Sequence, residues 1–175
     1  MPSAPPSTRA TFYQYTLLQK VVYNQLLIKF YLAIVPIVLL LETLLSGPLG
    51  LLYSSIALFF VLWIHFVVIR SILLLAGEPI RKKWRFRRVL PWIGFLPDQY
   101  IGYHIFIRVH RHLAWLGLCV CLILYPWFPI SFVTSALIWH LWLIMPRQFL
   151  FTHFRKQPKH GLFKLTDTEM LYYKA

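Results

Sequence analysis

The chain has 175 residues, of which 59% are hydrophobic and 18% aromatic, with a mean hydropathy of +0.63 and a formal net charge of +13. Only 13% are charged, whereas soluble domains carry about 25% charged residues. That balance excludes an ordinary soluble domain, and so much apolar surface excludes a solvated, disordered chain.

The apolar residues come in long runs. Residues 49–69 contain no Asp, Glu, Lys or Arg over 21 positions, and residues 113–145 contain none over 33. About 20 helical residues cross a hydrocarbon layer. The sequence therefore predicts an all-α integral membrane protein with about four transmembrane helices, forming a single membrane domain over residues 11–175. No internal repeat is visible.

Residues 1–10, rich in Pro and Ser, are expected to be disordered. Residues 11–25 carry aromatics with Gln14, Gln19, Lys20, Asn24 and Gln25, and predict an amphipathic helix lying at the membrane interface. The first span is expected at 26–45, with Lys29 snorkelling to the headgroups and Pro36 kinking the helix. No small-x-small cleavage pattern follows this run, so no cleaved signal peptide is expected. Ser46, Gly47 and Pro48 read as a tight turn. A second span follows at 49–76, closed by Gly77 and Pro79 as stop signals.

Residues 77–112 are expected as a basic, interfacial segment on the cytoplasmic side. It opens with Arg81, Lys82, Lys83, Trp84, Arg85, Phe86, Arg87 and Arg88. Pro97 and Asp98 read as a helix start with Asp98 as N-cap. From there His104, Arg108 and Arg111 fall at i, i+4 and i+7, giving one polar face leading into a third span at 113–125. Pro126 and Pro129 separate that span from a fourth at 130–145. Both are short, so a re-entrant hairpin that never crosses is the alternative. The tail, 147–175, is basic, and Thr166 to Glu169 fits a capping box that opens a short terminal helix. Cys119 and Cys121 lie two apart in an apolar run and read as buried structural thiols rather than a zinc or disulfide pair.

Under four spans all 18 Lys and Arg residues fall on one side, and the two opposite turns have none. Lys and Arg in short loops mark the cytoplasmic face, so the expected topology is N-in, C-in, with a multi-pass bacterial plasma-membrane location. The run 81–88 is a topology determinant on this count. Clusters of 4–8 basic residues beside a span also attract anionic headgroups, at about 1 kcal/mol per residue. Residues 81–88 with His104, Arg108 and Arg111 thus form the candidate site for anionic lipid or an acidic partner protein, with Trp84 and Phe86 inserting between headgroups. Nucleic acid is not expected, since the membrane competes for the same charge.

Only five acidic residues are present, Glu42, Glu78, Asp98, Asp167 and Glu169. No two share a helix at a spacing that would hold Mg²⁺. Phosphate-binding loops, H-E-x-x-H and G-x-S-x-G are absent. Glu42, the one acid within a span, reads as a residue near the helix end. His65 and His140 fall well inside spans two and four, at depths about 6 Å apart. They read as interhelical hydrogen-bonding residues, with a bis-histidine haem b site as the alternative. The stretch 104–112, with His104, His110 and His112 beside Arg108 and Arg111, could bind a lipid phosphate. The leading expectation is a non-enzymatic accessory or assembly subunit without a cofactor. A haem-carrying electron-transfer subunit and an enzyme acting on lipid headgroups are the alternatives.

Overall fold

Asn24 begins the first helix: its side-chain oxygen accepts the Leu26 N–H at 2.9 Å, satisfying one of the donors a helix start leaves open. The computed structural model describes residues 16–78, 83–155, 157–158, 160–167 and 169–174. The expected disordered stretch 1–10, together with Arg81 and Lys82, lies outside the described residues.

Helix α1 runs Gln25–Ser46, α2 Pro48–Leu75, α3 Tyr103–Ile123 and α4 Ile130–His153. All four are long and apolar enough to cross a membrane. Gly47 (φ 64°) makes the turn from α1 into α2, and Pro48 takes the first helical position, where its missing N–H costs nothing. The turn is tight. A Cβ on Gly50 would meet the Glu42 carbonyl, so glycine sets how closely α2 folds back on α1.

Two expectations about the later helices are corrected. α3 starts at Tyr103, ten residues before the predicted span, and α4 continues to His153 rather than stopping at 145. Asp98 is not the α3 N-cap. Gly102 holds that position without a side-chain cap, and the Tyr103 N–H instead donates to the Gly161 carbonyl at 2.9 Å. The sheet thereby supplies the cap that sequence assigned to a carboxylate. Pro146 does not end α4, because the carbonyl it frees, that of Trp142, accepts the Tyr31 hydroxyl at 3.2 Å. A proline inside a span is tolerated where a neighbour satisfies the released backbone group in this way.

The all-α expectation is also overturned. Among the described residues there are six strands: β1 Thr16–Val22, β2 Trp84–Val89, β3 Trp92–Pro97, β4 Ile101–Gly102, β5 Leu162–Leu165 and β6 Glu169–Lys174. Four form an antiparallel sheet in the order β1-β6-β5-β4, and β2 and β3 form a separate hairpin. β1 stands where an interfacial helix was expected, and β2 takes up the basic run. β5 and β6 replace the terminal helix. Thr166 and Glu169 do bond to each other, but across the β5–β6 turn and without the glutamate side chain that a capping box uses: Thr166 Oγ1 donates to the Glu169 carbonyl at 2.8 Å and accepts its N–H at 3.1 Å, while the Glu169 carboxylate pairs with Lys20.

β1 leads into α1, β4 into α3, and β5 follows α4, so sheet and hairpin share one end of the bundle, the end where α2 finishes. A core of Ile69, Phe106, Leu150, Phe163 and Tyr172 joins the sheet to the helix ends. A second core, farther into the bundle, packs Tyr31, Val61, Phe132, Trp139 and Trp142. α4 is the innermost helix: 61% of its apolar window is buried, against 17% for α1. Of the two free cysteines, Cys121 is buried as expected and Cys119 is exposed.

Phe163 is fully buried between β5 and the helices, against Tyr103, Phe106 and Phe154. Phe163→Ala should cost about 3–5 kcal/mol through lost transfer energy and an unfilled cavity. The check is chemical unfolding of the detergent-solubilised protein, with exposed Phe59→Ala as the comparison that should cost little.

Candidate functional site: a basic sheet end above a buried arginine

β2 displays the described part of the basic run, and its period of two separates the side chains. Trp84 is turned inward at 5% exposure, packed on Phe95 and His110, so it does not stand out among headgroups. Phe86 is 43% exposed, and Arg85 and Arg88 are exposed as well. Arg87 differs. Its Nη2 donates to Asp98 Oδ1 and to the Leu165 carbonyl, both at 2.9 Å, and its Nη1 to Asp167 Oδ1 at 3.3 Å. It pins the hairpin to the β5–β6 turn. Lys83 lies 3.9 Å from Glu78. Arg85 and Arg88 therefore remain as the unpaired cations of β2 among the described residues. With Lys164 and the Arg87 cluster they border an open cleft of about 780 Å³.

His104, Arg108 and Arg111 lie on the exposed side of α3, which joins them to this end of the molecule. The nine-residue stretch does not converge on one patch, however. His104 and His112 face outward, whereas His110 is 1% exposed, its Nδ1 donating to the Phe106 carbonyl at 2.9 Å.

His65 and His140 do meet. His140 Nε2 donates to the Ala114 carbonyl at 3.1 Å, which leaves its Nδ1 lone pair to accept from His65 Nε2 at 2.9 Å. Three helices are tied by this chain of bonds. The rings cross edge to face at 5.1 Å between centroids. An iron and a porphyrin plane do not fit between nitrogens one hydrogen bond apart, so the pair as folded does not suit the haem alternative. Gly117 makes the approach possible, since a Cβ there would run into the His140 ring.

Arg147 is the residue that the sequence reading undervalued. It was placed in the tail, flanking a span, yet it is 1% exposed, inside α4. Nη2 donates to the Ile93 carbonyl of β3 at 2.9 Å, and the guanidinium lies against Gly94, whose φ of 115° is a conformation glycine adopts readily. Among the described residues no carboxylate lies within ion-pair distance, and Arg147 Nη1 has no hydrogen-bond partner. The same holds for His65 Nδ1, His110 Nε2 and Trp92 Nε1. Among these groups the structure shows one imidazole–imidazole bond, from His65 to His140. Among the described residues no group of three His, Cys, Asp or Glu side chains could hold a metal ion. The available signal is Pro146 followed by an arginine only two residues past the longest apolar run, where a helix of ordinary span length would still be continuing.

Glu42, expected near a helix end, is buried there and accepts the Ser135 hydroxyl at 2.8 Å. Ser46 and Ser131 bond at 2.6 Å beside it.

Gly117→Ala should push α3 from α4 and lower the melting temperature. Combined with His140→Ala it should cost less than the sum of the single changes, by about 0.5–3 kcal/mol of coupling. Arg147→Met should leave global stability near that of wild type while loosening the hairpin, because relief from burying an unpaired charge is offset by loss of the donor to the Ile93 carbonyl. Denaturant titration in detergent measures both.

Compared with protein-family models, with curated proteins and with solved structures, the chain matches none.

Proposed function

We propose that the chain is a small multi-pass membrane protein that acts as a non-enzymatic accessory or assembly subunit, and that its sheet end is a cytoplasmic platform for anionic lipid. One observation carries this reading: every described Lys and Arg belongs to the sheet end or to the adjoining turns of the helices, whereas the opposite turns, Gly47 and residues 124–129, carry none. Lys and Arg bias of this kind orients short loops toward the cytoplasm. It also leaves the sheet end facing the acidic inner leaflet, where each basic residue near the surface is worth about 1 kcal/mol.

The outward faces of the helices support the membrane setting. Leu45, Phe59, Leu75 and Trp127 are each more than two-thirds exposed, and contiguous apolar surface on this scale is untenable in water. Lipid covers it without further protein. Arg85, Arg88, Arg108 and Arg111 have no ion pair among the described residues, so their charge is free to meet phosphate. Lys164 spends part of its field on the Tyr100 ring, 4.9 Å away. Arg87 serves the fold instead. An acidic protein surface would meet the same cations, and lipid is preferred because the platform sits at headgroup level.

In a cysteine-free background, single cysteines at Arg85 and Asp167 should react only with reagent supplied from the cytoplasmic side, and one at Trp127 only from the other. Labelling of both classes from one side would overturn the orientation. Arg85→Gln with Arg88→Gln should weaken binding of vesicles rich in phosphatidylglycerol by about tenfold or more at low ionic strength. About 0.5 M salt should shrink that difference, since exposed charges are screened within several ångströms there. Arg87→Gln should act differently, lowering the melting temperature through loss of its bonds to Asp98, Asp167 and Leu165.

A further inference from the structure

Between α3 and α4 a groove of about 520 Å³ runs from the sheet end into the apolar part of the bundle. Two arginines border it, Arg111 on α3 and Arg155 just past α4, with Gln148 and Gln157 beside them and Trp115 and Phe151 among the apolar walls. The spacing builds it. Arg111 and Trp115 are one turn apart on α3 and Gln148 and Phe151 one turn apart on α4, so each helix turns one stripe toward the same channel, and Arg155 stands two residues past the end of α4. Arg111 and Arg155 are exposed and make no ion pair among the described residues.

We propose that this groove holds one anionic phospholipid, its phosphate between Arg111 and Arg155 and an acyl chain running deeper along Trp115. The inference rests on the membrane reading above and names a discrete site within it. Charge and position choose the occupant. Counted from the sheet end of α3, Arg111 stands about 12 Å into the helix and Trp115 about 18 Å, while Phe151 and Arg155 lie at the sheet end of α4, so the two arginines bracket the shallow part of the groove and Trp115 marks its deeper, apolar end. A soluble anion would leave the apolar walls unfilled, and an uncharged lipid would leave two guanidinium groups without a counter-charge. Arginine forks suit phosphate oxygens, and the two glutamine amides add donors for the rest of a headgroup. The surface platform on β2 differs in kind. It attracts lipid by field alone and is screened by salt, whereas a lipid held in a groove by oriented donors and a buried chain resists it.

The full-length protein is purified in neutral detergent, exchanged with a phosphatidylglycerol and phosphatidylcholine mixture, and washed in about 0.5 M salt, which screens surface attraction. Retained lipid is counted by native mass spectrometry. Wild type and the Arg85→Gln, Arg88→Gln variant should each keep a single phosphatidylglycerol. Arg111→Gln with Arg155→Gln should lose it, and Arg111→Lys with Arg155→Lys should keep it in part. A second readout uses folded protein without touching either arginine: phosphatidylglycerol brominated in its acyl chains should quench a fluorescence component that Trp115→Phe removes. Retention by the double Gln variant equal to wild type, or equal retention of phosphatidylcholine, or quenching unchanged by Trp115→Phe, would overturn the site. Failure of the surface platform reads out separately, as unaltered low-salt vesicle binding by the Arg85, Arg88 variant.

Discussion

The bond from Arg147 to the Ile93 carbonyl joins the two halves of this molecule. Its donor sits inside the most buried helix, and its acceptor is the backbone of a hairpin outside the bundle. A guanidinium with no carboxylate in reach is costly to bury, and one carbonyl does not offset that cost. The hairpin must therefore lie flat over the helix ends to keep even this partner. That requirement explains Gly94, which lets the backbone pass within contact of the guanidinium, and the inward turn of Trp84 and Trp92, both nearly fully buried. Arg87 fixes the other side of the hairpin through Asp98, Asp167 and Leu165. One arginine holds the hairpin from below and the other from the side.

Farther into the bundle, polarity is met by a few reciprocal bonds rather than by charge. Tyr31 and Trp142 stack at 4.4 Å, and each donates to the other's carbonyl. Trp139 donates to Ser54, and Glu42 takes the Ser135 hydroxyl. Each of these bonds ends on α4. A helix that is apolar all round gains nothing from burial against lipid tails, so packing and hydrogen bonds between helices set which helix sits inside. α4 carries the side chains that do this, and it is the one most enclosed.

The four helices were legible because an uncharged run longer than a bilayer has few other meanings. The side on which charge collects was legible for a similar reason, since a count needs no three-dimensional knowledge. The strands were not. Residues 162–165 and 169–174 alternate, with Phe163, Leu165, Met170 and Tyr172 buried and their neighbours less so, but four to six residues are too few to outweigh a capping-box motif that suits a helix equally well. Thr166 and Glu169 do bond to each other, through a hydroxyl and backbone groups that close a strand turn rather than through the glutamate side chain. His65 and His140 were legible as a pair because both had to lie deep in the bundle, although which chemistry joined them needed the distance. Arg147 is not legible in the sequence, because the first charge ends an apolar run whether or not the helix continues past it. A buried cation looks the same in sequence as one at the membrane surface.

The strand order β1-β6-β5-β4 places β6 between β1 and β5. Val22 is paired with Glu169, so β1 finds its neighbour among the described strands nearly the whole described chain away. A ribosome makes β1 first and β6 last. All four helices are therefore synthesised, and available to a membrane, before the strand that β1 needs exists. Until then β1 presents unpaired backbone groups on both edges. Closing the loop afterwards is entropically slow but only logarithmically costly in length. The sheet is thus a late clasp. It grips the start of the first helix and the end of the last only once the bundle beneath it is complete.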